Sequence, residues 1–380
     1  MDRRQFLQVM AVGGVALAGP TVLAACQPAI PEDYGLASDP SYGPLGNPDA
    51  NGLRLPAGFS SRVIATSGQV VAGTAYPWHS DPDGGACFHS VTGQGWIYVS
   101  NSETVVGGAS MVRFSATGAI VEAHRILSGT AANCAGGPTP WGRWLSCEEH
   151  PLGQVWECDP NGLRAAVVRR GMGTFQHEAA AVDSYQRVVY LTEDNPEGAL
   201  YRFRPTTWQD LSSGTLEVLT ERSGTLSWVA VPNPTPSLLE TPTRDQVAGT
   251  KRFDGGEGAC VDHRGALFFT TKGDGRVWAY DPTRNRLTVI YDDSTAPVAE
   301  LTGVDNIVFN RRGVLFVAED GGNMQIVAVG AGQRAVPVVE ITGVTGSEVT
   351  GPAFSPNGQR LYFSSQRNPG RTYEVAGPWS

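Results

Sequence analysis

Across 380 residues the chain carries 28 Lys and Arg against 37 Asp and Glu, a formal charge of −9. The total is acidic and no basic run of sequence occurs, which argues against nucleic-acid backbone as a partner. After the N-terminus no stretch approaches the roughly 20 apolar residues of a membrane-spanning helix.

Arg3-Arg4-Gln5-Phe6-Leu7 is a twin-arginine pattern, followed by an apolar run from Val9 to Leu17 and a lipobox, Leu23-Ala24-Ala25-Cys26. Residues 1–26 therefore read as an export signal, with Cys26 as the residue that receives a lipid. The alternative is an ordinary cleavage site near Cys26. Either way the expected place of work is periplasmic or extracellular, with membrane attachment through Cys26. Twin-arginine export carries folded chains and is often used for proteins loaded with a metal or cofactor. Residues 27–52 are rich in Pro, Gly, Asn and Asp without an apolar period and are expected to be a flexible tether. Of the six cysteines, an odd number remain once Cys26 is set aside. In an oxidising compartment at least one thiol then has a role other than an internal disulfide.

From residue 53 to 380 one unit recurs at about the 40 to 50 residues of a propeller blade. Its clearest strand appears six times, as Gly95–Asn101, Gly142–Glu148, Arg187–Glu193, Ala266–Thr271, Val314–Glu319 and Arg360–Ser365. Each copy is aromatic, apolar or β-branched, and several follow a glycine turn. A strand follows most copies, as in Ala199–Phe203 and Arg276–Tyr280, and another precedes them, as in Glu178–Val182, Glu257–Val261 and Asn306–Phe309. The expected fold is all-β, a six-bladed β-propeller. A two-sheet sandwich has the same strand content, and the regularity of the repeat argues against it. The Pro-rich insert from Leu226 to Arg252 is expected to be a loop between blades.

In a blade, the start of the innermost strand and the end of its partner lie at one face. Glu178 with Glu193, Glu257 with Thr271, and Asp305 with Glu319 fall there at nearly constant spacing. The same placement brings Asp83, Glu103, Asn133, Cys147, Glu148, Glu149, Asp194, Asn306 and Asp320 to that mouth. Carboxylates crowded at one mouth raise one another's pKa values, and bound cations relieve the repulsion. Oxygen clusters suit calcium, whereas a thiolate at Cys147 adds a softer ligand and implies a second metal class. Cys147 also reads as an inert buried thiol, or as half of a disulfide with Cys134 or Cys158.

The words Trp141-Gly142-Arg143-Trp144-Leu145-Ser146-Cys147-Glu148-Glu149, Gln176-His177-Glu178-Ala179, Leu191-Thr192-Glu193-Asp194, Gly256-Glu257-Gly258, Val304-Asp305-Asn306, Ala318-Glu319-Asp320-Gly321 and Gly351–Pro356 follow one another across most of the folded body. In these the chain resembles the PhoX-type alkaline phosphatases, as a short form. The resemblance implies a cluster of Fe3+ and Ca2+ with a shared oxo group, and hydrolysis of phosphate monoesters. It puts forward Cys147, Glu178 and Glu257 as iron ligands. Glu103, Glu148, Asp305 and Glu319 become the remaining metal ligands, with Glu193, Asp194 and Asp320 as further candidates in or next to the cluster. Asn133 and either Lys272 or Arg276 are the nearest candidates for the phosphate clamp. Where the family has Asn-His-Glu, this chain has Asn101-Ser102-Glu103. The expected partner is a small phosphorylated substrate, and the chain is expected to act as a monomer. Two rival readings are a calcium-dependent lactonase or esterase, whose site needs only oxygen ligands, and a non-catalytic propeller holding structural calcium.

Overall fold

The computed structural model describes residues 34–91 and 93–379. They form six antiparallel sheets arranged as the blades of a β-propeller. From the channel outward, blade one is Pro82–His89, Trp96–Ser102, Gly108–Phe114 and Ile120–Leu127. Blade two is Asn133–Pro138, Trp144–Glu148, Val155–Cys158 and Val167–Val168. Blade three opens with His177–Asp183 and Val188–Glu193, blade four with Gly256–Val261 and Leu267–Thr271, and blade five with Val304–Phe309 and Leu315–Glu319. Blade six is Val349–Phe354, Arg360–Ser365 and Arg371–Ala376, completed by Ser60–Thr66 from the start of the chain. That last pairing, with Ser60 opposite Ala376 and Thr66 opposite Arg371, closes the ring by joining its two chain ends.

All six sequence runs form the second strand of a blade, because side-chain alternation lets such a strand feed two cores at once. In Trp144–Glu148, Leu145 and Cys147 pack against Val189 and Leu191 of blade three, while Trp144 packs against Ile97 and Val99 of blade one. One apolar cluster fills each of the six gaps between neighbouring blades. Each large side chain buried there stabilises the ring by about 1.5–3 kcal/mol.

Two expectations are corrected. Residues 34–52, expected to belong to a loose tether, lie on the body: Tyr34 meets Phe268 edge-on with ring centroids 5.6 Å apart, and Tyr42 meets Trp379 at 5.5 Å. Aromatic contacts of this kind hold a Pro- and Gly-rich segment that has no strand periodicity of its own. Within the insert, Thr225–Ala230 is a further strand of blade three paired with Asp210–Arg222. The indole of Trp228 drives this, lying under the Arg202 guanidinium at 4.7 Å and donating to Tyr280 Oη at 2.8 Å.

Candidate functional site

Every inner strand carries the same irregularity. Pairing with the second strand skips two residues between Pro82 and Gly85, Asn133 and Gly136, His177 and Ala180, Gly256 and Ala259, Val304 and Ile307, and Thr350 and Ala353. A bulge re-aims the side chain it contains. The first skipped residues are Asp83, Cys134, Glu178, Glu257, Asp305 and Gly351, so five of the six blades present a ligating side chain at one level of the channel.

Small neighbours make this convergence possible. A Cβ on Gly84 would stand 2.5 Å from Ala135 Cα, and one on Gly258 would stand 2.6 Å from Asn306 Cα. Side chains on the second strands then fix the bulges of the next blade. Asn101 Nδ2 donates to Cys134 O at 2.9 Å, Thr192 Oγ1 to Glu257 O at 2.6 Å and Thr270 Oγ1 to Asp305 O at 2.5 Å.

A second ring stands above the first, made by the residue that follows each second strand: Glu103, Glu149, Asp194, Lys272, Asp320 and Gln366. Gln366 Nε2 donates to Asp83 Oδ2 at 2.5 Å and to Glu103 Oε2 at 2.7 Å. Lys272 Nζ bridges Asp194 at 2.8 Å and Glu257 at 2.7 Å. At the seam between blades six and one, Arg367 bridges Glu103 at 3.2 Å and Glu348 at 2.9 Å.

Three groups of side chains bring ligand atoms within 4.8 Å of one another: Asp83, Glu103 and Cys134; Cys134, Glu149 and Glu178; Glu178, Glu257 and Asp305. Cys134 belongs to the first two and Glu178 to the last two, so the groups form one connected chain of donors. Cys134 Sγ donates to Glu178 Oε1 at 3.2 Å, and Glu178 Oε2 is buried with no hydrogen-bond partner. Burial, then the neighbouring carboxylates Glu257 and Glu149, raise the Glu178 pKa well above the usual value. Burial and Glu103 push Asp83 to about 7, and burial and Asp194 push Glu149 to about 9. Glu257 rises to about 8 through burial, opposed by Lys272. Burial opposes the charge on Lys272, yet Glu257 and Asp194 outweigh it and hold its pKa above the usual lysine value. Acids gathered this way bind cations in preference to sharing protons. The donor set fits metal: oxygens alone in one group, and a thiol among carboxylates in the other two.

The family model described as alkaline phosphatase PhoX matches residues 101–154 and 150–370. The chain belongs to the PhoX alkaline phosphatase family. Its activity class is therefore that of a phosphatase. The solved structure of Pseudomonas fluorescens PhoX in complex with vanadate superposes with a TM-score of 0.73 at 17% identity, over 88% of this chain and 98% of that one. A Bacteroides thetaiotaomicron protein of unknown function gives 0.55 at 9% identity, over 83% and 76%. A Xanthomonas campestris gluconolactonase gives 0.50 at 12% identity, over 88% and 98%. At these identities the likenesses speak for the propeller alone. Comparison with curated proteins gave no match.

In this PhoX-family chain the ring gathers Glu103, Glu178, Asp194, Glu257, Asp305 and Asp320 as the sequence suggests, with Lys272 beside them. Cys147 lies elsewhere. It is fully buried among Leu145, Val155, Met172 and Phe175, because alternation along its strand points it between blades. The cysteine at the mouth is Cys134, and the five described cysteines are all free thiols. Glu148, Glu193 and Glu319 are likewise turned from the mouth. Each ends a second strand and accepts the backbone N–H six residues on: Gln154 at 3.2 Å, Ala199 at 3.1 Å and Gln325 at 3.1 Å. Glu193 is further held by Arg244 at 2.6 Å and Tyr201 Oη at 2.8 Å. Their recurrence at one register reflects a loop cap, and the residue after each one faces the channel.

Neither of two clamp candidates reaches the mouth. Asn133 is buried, accepting from Thr130 Oγ1 at 2.6 Å and donating to Ser146 Oγ at 2.9 Å. Arg276 is held on a third strand by Asp274 and Asp292, at 2.9 and 2.8 Å. Cys134, Glu348, Gln366 and Arg367 are the residues that sequence reasoning missed as members of the site.

Proposed function

We propose that the chain hydrolyses small phosphate monoesters with a cluster of iron and calcium ions held at the channel mouth. The observation that carries this reading is the connected donor chain of Asp83, Glu103, Cys134, Glu149, Glu178, Glu257 and Asp305. Cys134 with its flanking carboxylates suits iron, and the oxygen-only group of Glu178, Glu257 and Asp305 suits calcium. A thiol shared by two groups also favours this reading over a calcium-dependent lactonase, which needs oxygen ligands alone. When bound, the cations would neutralise charge developing on the phosphoryl oxygens and activate the attacking water.

The chain's own side chains do the remaining work. Arg367 on blade six and Lys272 on blade four stand at the mouth, partly exposed at 43% and 39%, where they draw in and orient an anionic group. Gln366, held between Asp83 and Glu103, fixes two acids of the ring relative to each other. The hydroxyls of Thr192 and Thr270 keep the bulges from relaxing, so that the donors are preorganised before substrate arrives. The vanadate bound by the Pseudomonas fluorescens protein, a transition state analogue, supports a mouth shaped for a phosphoryl group.

Export by the twin-arginine route and attachment through Cys26 belong to the same proposal, supported by Arg3-Arg4 and by Leu23-Ala24-Ala25-Cys26. Those residues, like the rest of 1–33, lie outside the described structure. Elemental analysis of the exported protein, paired with hydrolysis of p-nitrophenyl phosphate, tests the function. Iron with calcium and turnover that chelation abolishes are expected. Calcium alone with lactone or ester turnover would replace the reading with a lactonase, and calcium without hydrolysis would leave a structural propeller.

A further inference from the structure

The carboxylate mouth occupies one end of the channel, and the other end has the opposite character. Turns that join inner to second strands, and third to fourth strands, bring together arginines far apart in sequence. Arg187, Arg264, Arg311 and Arg312 stand in the first set of turns, Arg164 and Arg284 in the second, and all six are exposed. Of the acids in the same turns, Asp210 is exposed and Asp281 pairs with Arg284 at 3.2 Å, while others are withdrawn. Asp183 and Asp262 are buried and accept hydrogen bonds from their own turns, from Tyr185 N and Arg264 N, each at 2.8 Å. Val91, Leu163 and Tyr185 project from this end, exposed by 66%, 73% and 68%.

The N-terminal segment enters at the same end. Tyr34 packs on Phe268, Ala37 O accepts from Ala331 N at 2.9 Å, and Asp39 pairs with Arg334 at 3.2 Å. By register these partners all lie opposite the acidic mouth, since Leu267 pairs with the far end of its inner strand, Val261. Residues 27–33 separate Tyr34 from Cys26 and can span at most about 30 Å. A lipid on Cys26 therefore holds this end, and not the mouth, next to the bilayer.

We infer that the arginine-rich face docks on an anionic membrane surface, with the guanidinium groups against lipid phosphates and the apolar tips among the headgroups. An acidic chain is repelled by such a surface in most orientations, and only this one turns its positive end inward and its carboxylates outward. The mouth then opens away from the membrane, so phosphorylated substrate arrives from the surrounding solution. The inference rests on the Cys26 anchor for the tether and on the described turns for the docking.

Hydrogen exchange of the mature protein on vesicles of phosphatidylcholine, with and without phosphatidylglycerol, reads the docked face. Protection of residues 184–187, 262–265 and 310–313 is expected on phosphatidylglycerol vesicles only, reversed by high salt. The double variant Arg311→Gln, Arg312→Gln should lower the docked-to-undocked ratio on the order of thirty-fold while leaving hydrolysis of soluble substrate unchanged. Protection at the mouth, equal protection on both vesicles, or none on either overturns the inference. So does protection in solution together with a doubled mass, which would make a second copy the occupant. If mass spectrometry finds Cys26 without an acyl group, the anchor falls by itself. The unlipidated protein must then still sediment with phosphatidylglycerol vesicles and not with phosphatidylcholine ones, or the docking falls too.

Discussion

Replacing Cys134 and Cys147 with serine, one at a time, separates the ligand from the core thiol. Cys134 Sγ lies within 4.8 Å of donor atoms from Asp83 and Glu103 in one group and from Glu149 and Glu178 in another. Cys134→Ser keeps a hydroxyl that can donate to Glu178, so the fold loses little, but both groups lose their only soft donor. Iron content and hydrolysis should fall to background. Cys147→Ser does the reverse. It sets a hydroxyl among Leu145, Val155, Met172 and Phe175, costing about 1–3 kcal/mol of stability, without touching the mouth. The assay is metal content per chain and turnover of p-nitrophenyl phosphate for each variant. Thermal unfolding is measured on chelated protein, so that loss of bound metal does not enter the comparison. Iron and turnover retained in Cys134→Ser, or lost in Cys147→Ser with the fold intact, would refute the assignment.

Glu319→Ala removes the acceptor for Thr302 N at 3.0 Å and Gln325 N at 3.1 Å and should cost about 2–4 kcal/mol in denaturant unfolding, with metal content unchanged. Arg367→Ala should lower kcat/KM for a phosphorylated substrate by about 10- to 100-fold, the worth of one charge-assisted contact, while metal content holds. Arg276→Ala, whose guanidinium is bound to Asp274 and Asp292 away from the mouth, should leave kcat/KM and metal content as they are. In chelated protein Asp83 is raised to about 7, Glu348 and Glu257 to about 8 and Glu149 to about 9. The folded chain then holds protons that the unfolded chain releases. Stability, followed by urea unfolding, should be greatest in acid, fall as pH rises from the ordinary carboxylate range through about 9, and recover when calcium is added.

The second strands were legible because they alternate between two interblade cores, and residues such as Trp96-Ile97-Tyr98-Val99 and Val188-Val189-Tyr190-Leu191 leave a dense β-branched and aromatic trace. Inner strands leave almost none. Close approach at the bulges demands small residues, so Asp83-Gly84-Gly85 and Cys134-Ala135-Gly136 carry no strand signature, and Glu257-Gly258-Ala259 shows only through its alignment with Glu178-Ala179-Ala180. The signal that finds Cys134 is nevertheless present: a ligating residue followed by small ones, aligned on Glu178-Ala179-Ala180. Spacing alone misled, because Glu193 and Glu319 keep a nearly constant distance from Glu178 and Asp305 for the sake of a loop cap. A one-residue step in a strand changes the face, which is why Asp194 and Asp320 belong to the mouth and their neighbours do not. Arg367 and Glu348 come from blade six, whose bulge residue is Gly351, and the neutral register there gave no reason to look.

Diffraction at the iron absorption edge from crystals of the exported protein tests the central claim most directly. An anomalous peak within bonding distance of Cys134 Sγ and the Glu178 carboxylate is the predicted result. Iron bound away from Cys134, or no iron in a protein that still hydrolyses phosphate monoesters, would contradict it.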